Sequence, residues 1–234
     1  MKETLIGLIK LIACLLMLMF AEGYFFEFLA HIGINISNFT PLVRELIVLG
    51  LYILMFGIVY LIFNDHIKTD LKNYKRRLLS NVLMSVAFFA VLVIFLWMVN
   101  LLVATIASSM DISYQGLIYY NIFNQEFDLI LVSFIIRQII LMPMMLCFIY
   151  VLGVYDVIDS KRMTMFLTGL LGAIVAGIGM SGTLTTIFFN VIPYFVIFFA
   201  LSYIYHKNRY NVWFSAITFV LYGMFASLLI QHIT

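Results

Sequence analysis

Seven long apolar stretches, separated by short polar segments, fill almost the whole chain. They cover about residues 4–28, 42–63, 80–107, 127–153, 164–181, 184–205 and 212–232. A helix needs roughly 20 apolar residues to cross a bilayer, and the hydrocarbon core accepts helices because they satisfy their own backbone hydrogen bonds. The pattern therefore predicts an all-α, polytopic transmembrane bundle of about seven spans, in a single domain over residues 1–234.

The composition agrees with a membrane protein and excludes a large soluble domain. Hydrophobic residues make up 65% of the chain, charged residues 10%, and the mean hydropathy is +1.13. A soluble domain is about half apolar and about a quarter charged. The bias toward Ile, Phe, Met, Asn and Lys is typical of bacteria, so we expect a bacterial plasma membrane.

Basic residues set the expected orientation. Lys68, Lys72, Lys75, Arg76 and Arg77 follow the second stretch, Lys161 and Arg162 follow the fourth, and Lys207 and Arg209 follow the sixth. The alternate segments hold only Arg44, which has Glu45 beside it. Because Lys and Arg accumulate on the cytoplasmic side, the N-terminus should be cytoplasmic and the C-terminus external. The 68–77 cluster is either a topology signal on a solvated loop or a contact for anionic lipid or an acidic partner.

Arg137 is the charge that lies deepest in a predicted span. It falls about ten residues into the fourth span, roughly 13 Å from the outer end. A charge near the bilayer centre costs about 2.5–3.5 kcal/mol or more, so it should face the bundle and have a partner. The candidates in the same half of the bilayer are Glu22, which is favoured, Asn100, Gln138 and Asn190. The group is either a pocket for a head group, peptide or solute, or a structural Arg–Glu pair.

The fifth span carries small residues at helical spacing. Gly169, Ala173, Gly177 and Ser181 recur every fourth residue, and Gly172 lies in the adjacent row. Small residues let helix backbones approach closely, which predicts a central helix wrapped by bulky neighbours.

Known catalytic patterns are absent or incomplete. The segment Gly179-Met180-Ser181-Gly182 resembles the surroundings of a rhomboid nucleophile, but spans five to seven hold no His except His232, so no general base is at hand. Cys14 and Cys147 lie in apolar stretches without a Cys or His at ligand spacing. We expect no metal and no cofactor.

The last ninety or so residues have a distinctive layout. A Gly-rich helix is predicted at 169–182, followed by a helix that ends Leu-Ser-Tyr-Ile-Tyr at 201–205 and by a basic turn. The chain then continues Asn-Val-Trp-Phe-Ser-Ala-Ile at 211–217. This layout resembles the CAAX protease and bacteriocin-processing family of intramembrane glutamic proteases, in which a similar segment leads into the last conserved helix.

The positions that this resemblance would make catalytic hold other residues. The family's Glu-Glu-x-x-x-Arg motif would use Arg137, but Val132 and Ser133 stand in place of the glutamates. A shifted alignment places Met145 and Leu146 there instead.

The family's two histidine motifs are also missing. The fifth span contains no His, and the final His-x-x-x-Asn would fall near Phe219 and Gly223. The resemblance thus implies a relative without protease activity, of the kind that regulates other membrane proteins.

The expected function is therefore to bind, scaffold or regulate another membrane protein, such as a sensor kinase or a cell-wall enzyme. One alternative is a solute carrier or a substrate-binding membrane subunit in which Arg137 reads an anionic ligand. The other is an intramembrane protease or a lipid- or peptide-processing enzyme with an atypical site. Nothing in the sequence indicates a nucleic-acid partner.

Overall fold

The computed structural model describes residues 2–116, 128–158, 160–178 and 180–229, and every regular element among them is a helix. The longer helices are α1 (Lys2–His31), α2 (Pro41–Ile62), α3 (Asn64–Lys75), α4 (Leu78–Ser109), α5 (Leu129–Tyr155), α6 (Lys161–Ile178), α7 (Leu184–Lys207) and α8 (Val212–Leu229). A 3-10 turn at Ile36–Asn38 precedes α2.

Six helices, namely α1, α2, α4, α5, α6 and α7, are long and apolar enough to cross a membrane. The prediction of an all-helical chain is thereby confirmed for the described residues, and six of the helices could span a membrane, as a multi-pass protein requires. The seventh predicted stretch forms α8, whose apolar part at Val212–Ser227 is shorter than the other six.

The segment between the second and third predicted spans is a helix, α3, where the sequence indicated a loop. Ile67 and Tyr74, two turns apart, are buried on one face of α3. Asp65 lies in its first turn, and Lys72 and Lys75 lie in its last turn. Acids at the N-terminus and bases at the C-terminus complement the helix dipole, which favours a helix in this polar segment.

The centre of the bundle is α5, not the glycine-rich α6 that was expected there. Each residue of Cys147–Leu152 in α5 is buried, and α5 contacts α1, α2, α6, α7 and α8. By contrast, α6 packs along α7 and meets only the last part of α5. The small residues of α6 therefore bring it close to one neighbour and do not surround it with several.

Glycines make the contact between α6 and α7 close. A Cβ on Gly169 would lie 2.9 Å from the Phe195 carbonyl oxygen, and a Cβ on Gly172 would overlap the Phe198 ring. Ala173 is buried, and a Cβ on Gly177 would lie 3.2 Å from Val191. These residues do pack as the spacing predicts.

Ser181 does not take part in this packing, because α6 ends at Ile178 and Ser181 is exposed in the turn before α7. The four-residue repeat therefore continues in the sequence beyond the end of the helix.

Hydrogen bonds join α3 to the start of α8 at one end of the bundle. The Asn211 side chain donates to the Asp70 carbonyl oxygen at 2.8 Å, and the Trp213 indole N–H donates to the Ile67 carbonyl oxygen at 3.1 Å. The Val212 N–H donates to the Asp70 carboxylate at 2.9 Å. The connections after the second and sixth spans thus share one end of the bundle, which we call the basic end.

A Gly172→Ala variant should be less stable than the wild type. The added methyl meets Phe198, which is buried and packs edge-on to Tyr150 at 4.7 Å, so the ring cannot move without disturbing the core. Overpacking of this kind costs about 1–3 kcal/mol. Thermal unfolding in detergent should show a lower midpoint for Gly172→Ala.

The matched control is Gly57→Ala, since a Cβ at Gly57 has nothing within 4 Å. Equal melting temperatures for the two variants would contradict the close α6–α7 contact.

Candidate functional site

Arg137 lies in a π-helical segment of α5, Ile135–Leu141, and points toward α2. Its side chain is 11% exposed. A π turn shifts the side-chain register of a helix, and such turns are frequent at functional sites. Here the neighbouring Gln138 lines a cavity on another side of α5.

Glu45 of α2 binds Arg137 through two hydrogen bonds. The Arg137 Nε donates to Oε1 at 2.8 Å and Nη2 donates to Oε2 at 3.2 Å. The Glu45 side chain is 16% exposed, so both charges are largely removed from water. A bidentate pair matches the planar guanidinium to the carboxylate and is stronger than a neutral hydrogen bond.

Two aromatic rings cover the guanidinium. The Cζ of Arg137 lies 5.3 Å from the centre of the Tyr52 ring and 5.5 Å from that of Phe134. These distances allow cation–π attraction, which is stronger where water is excluded.

Glu22 of α1 lies near this pair. The expectation that Glu22 is the direct partner of Arg137 is wrong, because Glu45 takes that place. The Tyr52 hydroxyl donates to Glu22 Oε2 at 3.0 Å, so Tyr52 lies between the two charges. Glu45 was not among the candidate partners and was noted only as the neighbour of Arg44 in the segment before the second span. Adjacent residues on a helix do not face each other, and Arg44 is exposed while Glu45 faces α5.

The cluster of Arg137, Glu45, Tyr52 and Glu22 carries an excess of negative charge. It contains two carboxylates and one guanidinium. In the part of the chain that the structure describes, no cation lies within ion-pair distance of Glu22. Glu22 is therefore the member of this cluster whose charge the fold leaves without a salt bridge.

Asn190 was a candidate partner of Arg137, but it lies in a separate cluster. Its side-chain oxygen accepts from the N–H groups of Gln115 and Gly116 at 2.8 and 3.3 Å. Its amide nitrogen donates to the carbonyl oxygens of Ser113 and Thr186. These hydrogen bonds hold residues 113–116 against α7.

Asn100 belongs to this second cluster, where its side-chain oxygen accepts a hydrogen bond from the Tyr114 hydroxyl. The five predicted pocket residues thus divide among three places: Arg137 and Glu22, Asn100 and Asn190, and Gln138 at the cavity.

The cavity that Gln138 lines has a volume of about 370 Å³ and lies between α5, α6, α7 and α8. Most of its walls are apolar, including Met142, Phe198 and Phe219. The described residues that line it include no acid and no His.

The remaining chemical candidates do not assemble into a site. Ser181 is exposed in a turn, and Cys14 and Cys147 are buried and free. Among the described residues, no three His, Cys, Asp or Glu side chains are grouped as metal ligands would be. No protein-family model, no curated protein and no solved structure matches the chain.

An Arg137→Ala variant should unfold at a clearly lower temperature, because it leaves Glu45 as an unpaired, largely buried charge. Breaking a buried pair costs about 3–5 kcal/mol, and the residual exposure of this pair favours the lower end of that range. Thermal unfolding of the purified protein in detergent measures the change.

The control is Arg162→Ala, which removes an exposed arginine from the first turn of α6. Similar losses for both variants would mean that Arg137 contributes no more than a surface charge.

Proposed function

We propose that this chain is a non-catalytic, multi-pass membrane protein that binds and regulates another membrane protein through α1 and the polar cluster. The observation that carries the proposal is the carboxylate of Glu22. Arg137 pairs with Glu45, whereas among the described residues Glu22 has no cation within ion-pair distance and accepts a hydrogen bond from the Tyr52 hydroxyl. A charge in a membrane span favours a partner of opposite sign.

The exposed surface of α1 is consistent with such a partner. Large apolar side chains are exposed along its length, including Leu5, Ile9, Leu16, Tyr24 and Phe28. Apolar surface alone suits lipid tails equally well, since helix association in the bilayer depends on packing and on a few polar contacts. Glu22 supplies the polar contact, which points to a partner helix that carries a Lys or Arg.

The cavity supports the absence of protease activity. Phe219 and Gly223 line it, near the positions at which the resemblance to the CAAX protease and bacteriocin-processing family would place the final His-x-x-x-Asn. Leu146, which takes the place of a glutamate in the shifted alignment, lines it as well. The described residues of these walls include no carboxylate or imidazole that could act as a general base toward water. We regard the chain as a protease-dead relative of that family, with a sensor kinase or a cell-wall enzyme as the kind of partner it regulates.

The contacts that Arg137 makes within the chain argue against a carrier in which it binds an anionic solute. Both the Nε and the Nη2 atoms donate to Glu45, and two rings cover the guanidinium. An anion would have to displace an intramolecular carboxylate that is already held in place.

We propose seven spans in a bacterial plasma membrane, with the basic end in the cytoplasm and α8 as the last span. Cations on α3 and on the turn between α7 and α8 lie at this end. A cytoplasmic position for the basic end follows from the positive-inside rule.

Reporter fusions test this orientation. Fusions after residues 70, 118, 160 and 208 should report inside, outside, inside and inside, because the positively charged segments stay in the cytoplasm. An external signal at residue 70 would invert the topology.

A Glu22→Gln variant should lose the partner while keeping its fold. Gln keeps a group that accepts the Tyr52 hydrogen bond but removes the charge that a partner cation would bind. Purification in mild detergent, followed by mass spectrometry, should recover a membrane protein with the wild type, and at least about tenfold less of it with Glu22→Gln.

The matched control is Glu27→Gln, which removes an exposed acid from the same helix. Equal recovery with Glu22→Gln and wild type would exclude Glu22 as the contact. Cleavage of a membrane substrate by the purified protein, abolished by Ser181→Ala, would replace the proposal with an enzyme.

A further inference from the structure

The basic end contains a cleft of about 630 Å³ between the α3–α4 turn and the α7–α8 turn. Four cations line it: Arg76 and Arg77 from the first turn, and Lys207 and Arg209 from the second. Lys68, Lys72 and Lys75 of α3 are not among the lining residues. The fold thus brings Arg76 and Arg77, two of the five cations clustered at 68–77, next to the pair Lys207 and Arg209, which is distant in the sequence.

The cations of the cleft are not neutralised by the fold. Across the described residues, none of the four has an acid within ion-pair distance. The one acid in the lining, Asp70, accepts the Val212 N–H at 2.9 Å. Burial raises the pKa of the Asp70 carboxyl above its usual range, and the Val212 hydrogen bond and nearby His66 partly offset that effect. The cleft therefore has a net positive lining.

Amide side chains hold the walls of the cleft in place. Asn81 donates to the Tyr74 carbonyl oxygen at 2.7 Å and so joins α4 to the end of α3. Asn208 donates to the Ile204 carbonyl oxygen at 2.8 Å, and Asn211 bonds α8 to Asp70. Because these contacts exist before any ligand binds, less ordering is required on binding.

The backbone of the α7–α8 turn is strained. Arg209 and Tyr210 have φ angles of 57° and 59°, in the left-handed region that a Cβ makes unfavourable. Strain of this kind persists where the surrounding structure imposes it and is concentrated at binding sites. Here the strained turn contributes Arg209 to the lining of the cleft.

The position of the cleft indicates the type of anion. Guanidinium groups match phosphate oxygens in geometry and charge. The cleft lies where α4 and α8 begin and α7 ends, and Leu78 and Leu79, next to Arg77, are 55% and 77% exposed. A phosphate in the cleft would thus have an exposed apolar surface beside it.

We propose that this cleft binds the phosphate head group of an anionic lipid, with the acyl chains against the exposed leucines at the start of α4. The site is independent of the partner contact at Glu22 and goes beyond it. Phosphate is the chemistry that the cleft recognises, and a soluble phosphate compound is the other possible source.

Native mass spectrometry of the purified chain with phosphatidylglycerol or phosphatidylcholine tests the proposal. The wild type should bind phosphatidylglycerol at least about tenfold more tightly than phosphatidylcholine. Arg77→Gln combined with Arg209→Gln should lower the affinity for phosphatidylglycerol about tenfold or more, because two contacts to the phosphate are lost.

The matched control is Lys68→Gln combined with Lys72→Gln, which removes the same charge from exposed positions outside the cleft and should change the affinity less than about twofold. An equal loss of affinity in both double variants would show that surface charge in general attracts the lipid, and it would contradict a specific site in the cleft. Displacement of phosphatidylglycerol by millimolar glycerol phosphate would assign the cleft to a soluble ligand and overturn the lipid source.

Unfolding temperatures show whether each variant is folded. Should the double variant fail to fold, Lys207→Gln at an exposed position provides the same test. Its affinity for phosphatidylglycerol should fall about threefold or more. An unchanged affinity in Lys207→Gln would then count against the cleft.

Discussion

A guanidinium among membrane helices needs a partner of opposite charge, and this need joins three helices of the bundle. Arg137 on α5 binds Glu45 on α2 in two hydrogen bonds, and Tyr52 joins that pair to Glu22 on α1. Apolar packing between helices is weakly directional in a bilayer, because lipid tails are as apolar as leucine side chains. A largely buried ion pair is directional, so it specifies which faces of α2 and α5 meet. Much of the remaining arrangement follows, since α5 contacts most of the other helices.

The polar cluster around Arg137 and the cleft at the basic end arrange their charges differently. Around Arg137 the fold neutralises the cation and leaves an extra acid. At the basic end it brings four cations together, and among the described residues none of them has an acid within ion-pair distance. Surface cations in water need no partner, but four around one cleft repel each other and attract an anion. The Asn side chains and the strained Arg209 backbone maintain that arrangement. We infer that each site is complementary to a molecule outside the chain: a cationic helix at the polar cluster and a lipid phosphate at the cleft.

The positions of the apolar helices could be predicted from the sequence because the apolar stretches are long and their polar boundaries are clear, whereas the polar helix α3 was expected to be a loop. Packing could be predicted only in part. The spacing of Gly169 and Gly172 correctly indicated a close helix contact, but it did not indicate that α7 alone would make this contact. The identity of the acid opposite Arg137 depends on how two helices are rotated about their axes, which a sequence pattern does not determine. The cleft was not predictable for a similar reason, since Arg77 and Arg209 meet only after α3 is docked on α8. Asp70, the residue that docks it, resembles any other surface acid in the sequence.

Arg137 and Glu45 form one ion-paired unit, and Glu22 lies outside it. A double-mutant cycle on unfolding free energies, with Met replacing Arg137 and Glu45 singly and together, tests this directly. Replacing both members of a buried pair is close to neutral, whereas removing one leaves a charge unpaired. We expect a coupling energy of about 2–3 kcal/mol for Arg137 with Glu45. The same cycle for Arg137 with Glu22 should give about 1 kcal/mol or less, because their interaction passes through Tyr52. Additive effects at Arg137 and Glu45, or a stronger coupling to Glu22, would contradict the account.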